Sequence, residues 1–237
     1  MRIGLRVPDL PAGGSLESVL AAAARAGSAA VDLPISADGL LTFASAVEDC
    51  VQFAKTVSAA GRSIAAITVS SGAEVHFASP NSEFRRLAQE HTRAAIERAA
   101  WLDAPTVVLA PAMVSGPAAP KPGTRYEEAY WRALEALREL CFDAAQRGIR
   151  LACLNCTGRF LLTPMEAREF IDRVNSAWVG MCLDVAATSS VGCPADWIQS
   201  LGGRLFHVRL GGDDEAAVIA ALDGVRYTGA AVRNRER

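Results

Sequence analysis

The strongest constraint in this sequence is a rhythm: short runs rich in Val, Ile, Leu and Ala alternate with amphipathic stretches along the whole chain. Such a βα alternation specifies a parallel sheet with helical crossovers. Strands are predicted at 2–7, 29–33, 63–69, 106–110, 150–154, 179–185, 205–210 and 230–233. Eight βα units are best satisfied by a closed (β/α)8 barrel, an α/β fold of the TIM type, because closure removes the edges of the sheet. An open doubly wound sheet is the runner-up. It lacks the Gly-x-Gly-x-x-Gly turn expected after the first strand, where Val7-Pro8-Asp9-Leu10-Pro11-Ala12-Gly13-Gly14 stands instead, and Gly13-Gly14 reads as an ordinary turn.

The helices carry their own punctuation. Ser15 can cap a helix running to Arg25, and Asn81 or Ser82 one running to Trp101, with Glu17 and Glu83 favourable in the first turns. Thr163-Pro164-Met165-Glu166 supplies a threonine cap, a proline at the first helical position and a glutamate to close a capping box. Tyr126 to Gln146 is a longer amphipathic stretch that Gly148 stops. After the eighth strand only Asn234, Arg235, Glu236 and Arg237 remain, so the fold is expected to lack its last covering helix. Part of the barrel wall is then expected to be exposed, and to be covered by another subunit or by the segment 112–124.

With 237 residues, 51% of them hydrophobic, the chain suits one domain spanning 1–237. Lys and Arg number 24 against 26 Asp and Glu, which gives no basic field for nucleic acid or an anionic membrane surface. No apolar stretch approaches the roughly 20 residues of a membrane span, and the charged start Met1-Arg2-Ile3-Gly4-Leu5-Arg6 does not resemble a signal peptide. The six scattered cysteines read as reduced thiols, consistent with a cytoplasmic protein.

In a barrel of this type the strand ends carry function, because the βα loops converge there. Those ends are Asp32, Ser70-Ser71, Pro111, Leu154-Asn155, Asp184, Arg209 and Arg233-Asn234. The pieces Gly148 through Asn155, Arg159 through Glu166, Val179 through Val185, Trp197-Ile198 and Arg204 through Leu210, together with Pro80 through Ala110, resemble the xylose-isomerase-like barrels of the sugar phosphate isomerase and epimerase kind. The resemblance runs from about residue 63 onward.

That resemblance implies a divalent metal, usually manganese, zinc, cobalt or magnesium. Its ligands would be a glutamate after the fifth strand, an aspartate after the sixth, a histidine after the seventh and a glutamate on the eighth. The metal polarises a carbonyl and hydroxyl while glutamates shuttle a proton between adjacent carbons. Here the first glutamate falls on Leu154, followed by Asn155; the aspartate is Asp184; His207-Val208-Arg209 puts arginine at the histidine ligand; and the last glutamate falls on Asn234. Leucine has no lone pair and arginine no acceptor, so no metal and no other cofactor is expected. Asp184 and Arg209 are expected to pair at the mouth, either as a structural closure or as an arginine that receives a carboxylate or phosphate. Asn155 and Asn234 join them as candidate ligand-binding residues, and Arg233 could strengthen the anion site unless strand alternation turns it outward.

Other candidates are weaker. Glu74 and His76 lie in the loop after the third strand, where they could act as an acid and base pair. His207 has inward parity and reads as a hydrogen-bonded core histidine or as a base. His91 reads as outer surface. Cys153-x-x-Cys156 would place its thiols on opposite faces of a strand, against zinc or redox use. The segment 112–123, with Pro117, Pro120 and Pro122, could form a lid, and no Gly-x-Ser-x-Gly supports serine hydrolysis.

Three functional readings stay open. The chain is a divergent, metal-free and non-catalytic member that binds a small polyol, sugar acid or phosphate. Alternatively it is a working isomerase or epimerase using a non-standard set such as Glu74, His76, Asp184 and His207. The third reading is an interaction barrel without a ligand site.

Overall fold

A computed structural model describes residues 1–7, 15–114, 123–155, 157–212 and 215–234, apart from the side chains of residues 157 and 234. Eight parallel strands close in sequence order into a barrel. They are β1 (Arg2–Arg6), β2 (Ala30–Ile35), β3 (Ser63–Val69), β4 (Thr106–Leu109), β5 (Arg150–Leu154), β6 (Val179–Asp184), β7 (Leu205–Leu210) and β8 (Ala230–Asn234). The helices between them are α1 (Leu16–Arg25), α2 (Val47–Ala59), α3 (Ser82–Trp101), α4 (Tyr126–Arg147), α5 (Pro164–Val174), the short pair α6 (Val185–Ser189) and α7 (Pro194–Leu201), and α8 (Glu215–Gly224). None of the described helices is long and apolar enough to cross a membrane.

The helix ends follow from capping chemistry. Ser15 Oγ accepts from Ser18 N–H at 3.3 Å, Asn81 Oδ1 from Glu83 N–H at 2.9 Å, and Thr163 Oγ1 from Glu166 N–H at 3.2 Å. Glu166 departs from the expected capping box. Its carboxylate accepts from Leu162 N–H at 2.9 Å, one residue before the cap, and from the Tyr126 hydroxyl at the start of α4. The box therefore ties α5 to α4 as well as closing its own first turn. Gly148 ends α4 at φ 68°, a left-handed conformation that glycine adopts without Cβ strain.

Bulk is divided unequally between the two faces of the sheet. The large apolar side chains, among them Phe160, Phe170 and Trp197, fill the layer between strands and helices. The barrel interior is floored by Ala30, Ala65, Ala66, Ala152, Ala230, Val108, Val232 and Cys182. Leu154 and Phe206 are the large exceptions. A Cβ on Gly180 would fall 2.7 Å from the Phe206 ring and 2.5 Å from the Arg204 carbonyl oxygen, so glycine makes room for the ring.

Two register shifts precede the mouth. On β3, Val31 pairs with Ile64 but Asp32 with Ala66, leaving Ala65 as an extra residue. On β7, Met181 pairs with Leu205 but Cys182 with His207, leaving Phe206 as the extra residue. Each bulge restarts the inward and outward alternation. Thr68 comes to stand opposite Pro34, and Arg209 opposite Asp184.

Among the described residues no helix follows β8, yet the exposed wall is not found there. Outward-facing Ala231 is fully buried in the main core cluster and Leu5 on β1 is 5% exposed. Beside them Arg233 points outward and pairs with Glu215 of α8, with contacts of 3.0 and 2.5 Å.

We expect Gly180→Ala to cost about 1–3 kcal/mol by displacing Phe206, read as a lower urea midpoint with an unchanged m-value.

Candidate active site at the barrel mouth

Above the alanine floor the barrel turns polar. Asp32 from β2, Thr68 from β3, and His207 and Arg209 from β7 meet in one network, with Asp32 and His207 each 1% exposed and Arg209 3%. Asp32 Oδ1 accepts from the Thr68 hydroxyl at 2.7 Å, and Asp32 Oδ2 meets His207 Nε2 at 3.2 Å. Arg209 donates Nη2–H to Thr68 Oγ1 at 2.6 Å and stands 3.6 Å from Asp32 Oδ2. Thr68 is thus a relay, donating to the carboxylate while accepting from the guanidinium. Arg209 Nε is buried without a partner among the described residues.

The electrostatics follow from this crowding. Burial alone would push the Asp32 carboxyl up, but the charge of Arg209, then the hydrogen bonds from His207 and Thr68, hold it below the usual carboxylate range. Arg6, at the end of β1 and opposite Asn234 of β8 in register, is lowered first by burial and then by the like charge of Arg209. Asp32 and Asp184 oppose that effect, so two cations and two carboxylates share the mouth.

The expected Asp184–Arg209 ion pair is not formed. The two residues are neighbours in register, but Arg209 reaches across the barrel to β2 and β3 while Asp184 caps α6, accepting from Ala187 N–H at 3.0 Å. A free N-terminal turn next to the strand end is the nearer partner for that carboxylate. Asn155 is fully buried and committed to the same corner: its Oδ1 accepts from Asp184 N–H and its Nδ2 donates to Thr188 Oγ1, both at 2.7 Å. The Asn234 side chain lies outside the described residues, as do Cys156, Gly13-Gly14 and positions 115–122 of the proline-rich segment.

Glu74 and His76 do not pair. Glu74 is exposed in a turn, whereas His76 is 4% exposed with neither ring nitrogen bonded among the described residues. His91 is not outer surface. Its ring stacks on Phe43 at 3.9 Å and its Nδ1 lies 2.8 Å from Ser71 Oγ. It lines a cleft of ≈ 410 Å³ beside the mouth with Ser36, Asp38, Phe43 and Ser70. Cys153 faces the helices and Cys182 the barrel interior; burial pushes the Cys153 thiol well up and the Cys182 thiol up to about 12. Sequence parity missed Thr68 and Arg6 altogether and noted Asp32 only as a strand end. The extra residue at Ala65 hides Thr68 from a strict count along β3.

The metal implied by the resemblance does not fit this donor set. Leu154 is buried and apolar, Asp184 serves a helix, and a guanidinium stands at the histidine position. No group of three or more His, Cys, Asp or Glu among the described residues is arranged to hold an ion.

Two outcomes are expected here. Asp32→Ala should destabilise by about 3–5 kcal/mol in chemical denaturation, because it strands a buried guanidinium. The second concerns His76, whose pKa burial lowers to about 4. The unfolded chain takes up its proton near 6.5 and the folded one near 4, so stability is present in full above 6.5 and is lost as pH falls between the two. His76→Leu should flatten that slope by up to about 3 kcal/mol.

Comparison with known proteins agrees with this architecture. The family model described as xylose isomerase-like TIM barrel matches residues 20–223. No protein of curated function matches the sequence. Among solved structures, D-psicose 3-epimerase with D-tagatose from Clostridium cellulolyticum H10 superposes with TM-score 0.84 at 17% identity, covering 99% of this chain and 85% of that one. An L-ribulose 3-epimerase gives 0.81 at 21%, covering 98% and 80%, and 3-keto-D-glucoside 4-epimerase from E. coli 0.80 at 16%, covering 98% and 91%. At such identities these structures establish the shared fold. The family model spans most of the chain, and the protein belongs to the xylose isomerase-like TIM barrel family.

Proposed function

We propose that this barrel binds a small sugar-derived anion, a sugar acid or sugar phosphate, or a related polyol at its C-terminal mouth, with Arg209 at the sequence position where the resemblance implies a metal-ligating histidine. The observation that carries this reading is the buried Arg209 Nε–H, which points a charge-assisted donor at no protein acceptor among the described residues. Arg6 adds a second cation at the rim, and Thr68 and Asp184, both half-buried, add oxygen atoms suited to ligand hydroxyls. The epimerase folds that superpose on this chain act on sugars, which supports a carbohydrate-sized ligand. The loss of metal donors supports binding without metal-assisted isomerisation.

A second reading, proton transfer without a metal, is favoured by the Asp32–His207 contact. A buried carboxylate fixes an imidazole there in the manner of a catalytic orienting pair. In that case His207→Gln abolishes epimerisation of a ketose or sugar acid while leaving ligand binding in place.

The binding reading is tested by thermal shift with inorganic phosphate and D-gluconate. A ligand at 100 times its Kd should add about 2.7 kcal/mol to wild-type stability. The gain should disappear in Arg209→Gln and weaken in Arg209→Lys, which keeps the charge beside Asp32 but loses the planar fork. Equal shifts in all three proteins, or one equivalent of divalent ion in protein purified without chelator, would overturn it.

A further inference from the structure

The outer face of α4, flanked by α3 and α5, carries a pattern that the fold of a single chain does not use. At roughly 3.6 residues per turn, Trp131, Glu135, Arg138 and Phe142 fall within an arc of about 60°, so they form one crest along the solvent side of the helix. Apolar side chains are not expected on that line. Phe142 is nevertheless 69% exposed, the most of any large apolar side chain described, and Trp131 is 45% exposed. Two aromatic rings and an arginine on one crest have the composition of an interface core.

The charges between the rings are also left over. Elsewhere on α4, Glu128 pairs with Arg132, Glu139 and Asp143 with Arg93 of α3, and Arg147 with Glu97. Glu135 and Arg138 have no oppositely charged partner among the described residues, although they stand about one turn apart. Arg138 instead donates Nη2–H to the Arg173 carbonyl oxygen of α5 at 2.6 Å. The Arg173 guanidinium, bonded to Glu169, lies over the Trp131 ring at 5.8 Å from its centre. Contacts from α5 thus hold two of the crest side chains in place before any partner arrives, which lowers the ordering cost of association.

The order of the four residues decides what that partner is. Trp131 and Phe142 are centred on the peptide bond between Ala136 and Leu137, and so are Glu135 and Arg138. Two copies of α4 laid antiparallel about a twofold axis through that point set Trp131 of each copy against Phe142 of the other, and Glu135 against Arg138. The aromatic pairs then lie roughly 8 Å on either side of the axis, at 1.5 Å of rise per residue, with the charged pairs between them. A parallel arrangement would bring Glu135 onto Glu135 and Arg138 onto Arg138, which like-charge repulsion opposes. Exposed ion pairs contribute little attraction, so the rings supply the affinity and the charges fix the register.

We propose that this crest joins two copies of the chain in a symmetric dimer, α4 against α4 in antiparallel register.

Sedimentation of the full chain over a concentration series tests this. A dimer with a Kd of about 1–100 μM is expected, and Phe142→Ser should raise that Kd about tenfold or more. Glu135→Arg and Arg138→Glu, each alone, should also weaken self-association, because like charges then meet twice across the axis. Mixed together, these two variants should form a heterodimer at least as tight as the wild-type dimer, since an all-basic crest then faces an all-acidic one. Altered contacts within one chain cannot produce that recovery. A chain that stays monomeric at about 0.5 mM, a dimer indifferent to Phe142→Ser, or a mixture that associates no better than its components would overturn the proposal.

Discussion

A carboxylate and a guanidinium held out of water in the middle of a barrel are the constraint around which the rest of this molecule is arranged. Removing both ions from solvent costs several kcal/mol each, and their attraction offsets that only when further hydrogen bonds complete the geometry. Thr68 and His207 supply those bonds to Asp32, and Thr68 supplies one to Arg209. The result links β2 and β3 to β7 across the interior. A network of this kind specifies one arrangement of the strand ends, because any other leaves a charge unpaired.

The floor beneath it makes the crossing feasible. Alanine and glycine dominate the inner faces below Asp32, so the long Arg209 side chain and the His207 ring have room to lie inward. The space is tight despite the small residues: a Cβ on Gly4 would come within 2.9 Å of both the Ala30 carbonyl oxygen and Val232. A close-packed apolar floor lowers the local dielectric, which strengthens every charge interaction above it.

Most of the fold was legible in the residues because it rests on local chemistry. The strand positions follow from apolar runs, and the starts of α1, α3 and α5 follow from Ser15, Asn81 and Thr163 accepting backbone N–H groups. The mouth was only partly legible. Asp32, Asp184 and Arg209 stand at the strand ends, as the βα pattern implies, but they pair differently from what adjacency in register predicts. Register neighbours were expected to bond, yet Asp184 is drawn to the first turn of α6 and Arg209 has the reach to bond β3. His91 differs from its sequence pattern for a related reason: the charged residues near it on α3 suggest solvent, while Phe43, distant in sequence, supplies the ring that stacks on it. No local pattern announces either partner.

The extra residue in β7 carries a consequence for how such a barrel changes over time. Because Phe206 interrupts the alternation, the tip of that strand is phased independently of its base, and packing demands at the bottom place no restriction on which residues face the barrel mouth. The residue at the tip, Arg209 here, is therefore set independently of the hydrophobic seal around Gly180. One spare residue uncouples the evolution of chemistry from the upkeep of the scaffold.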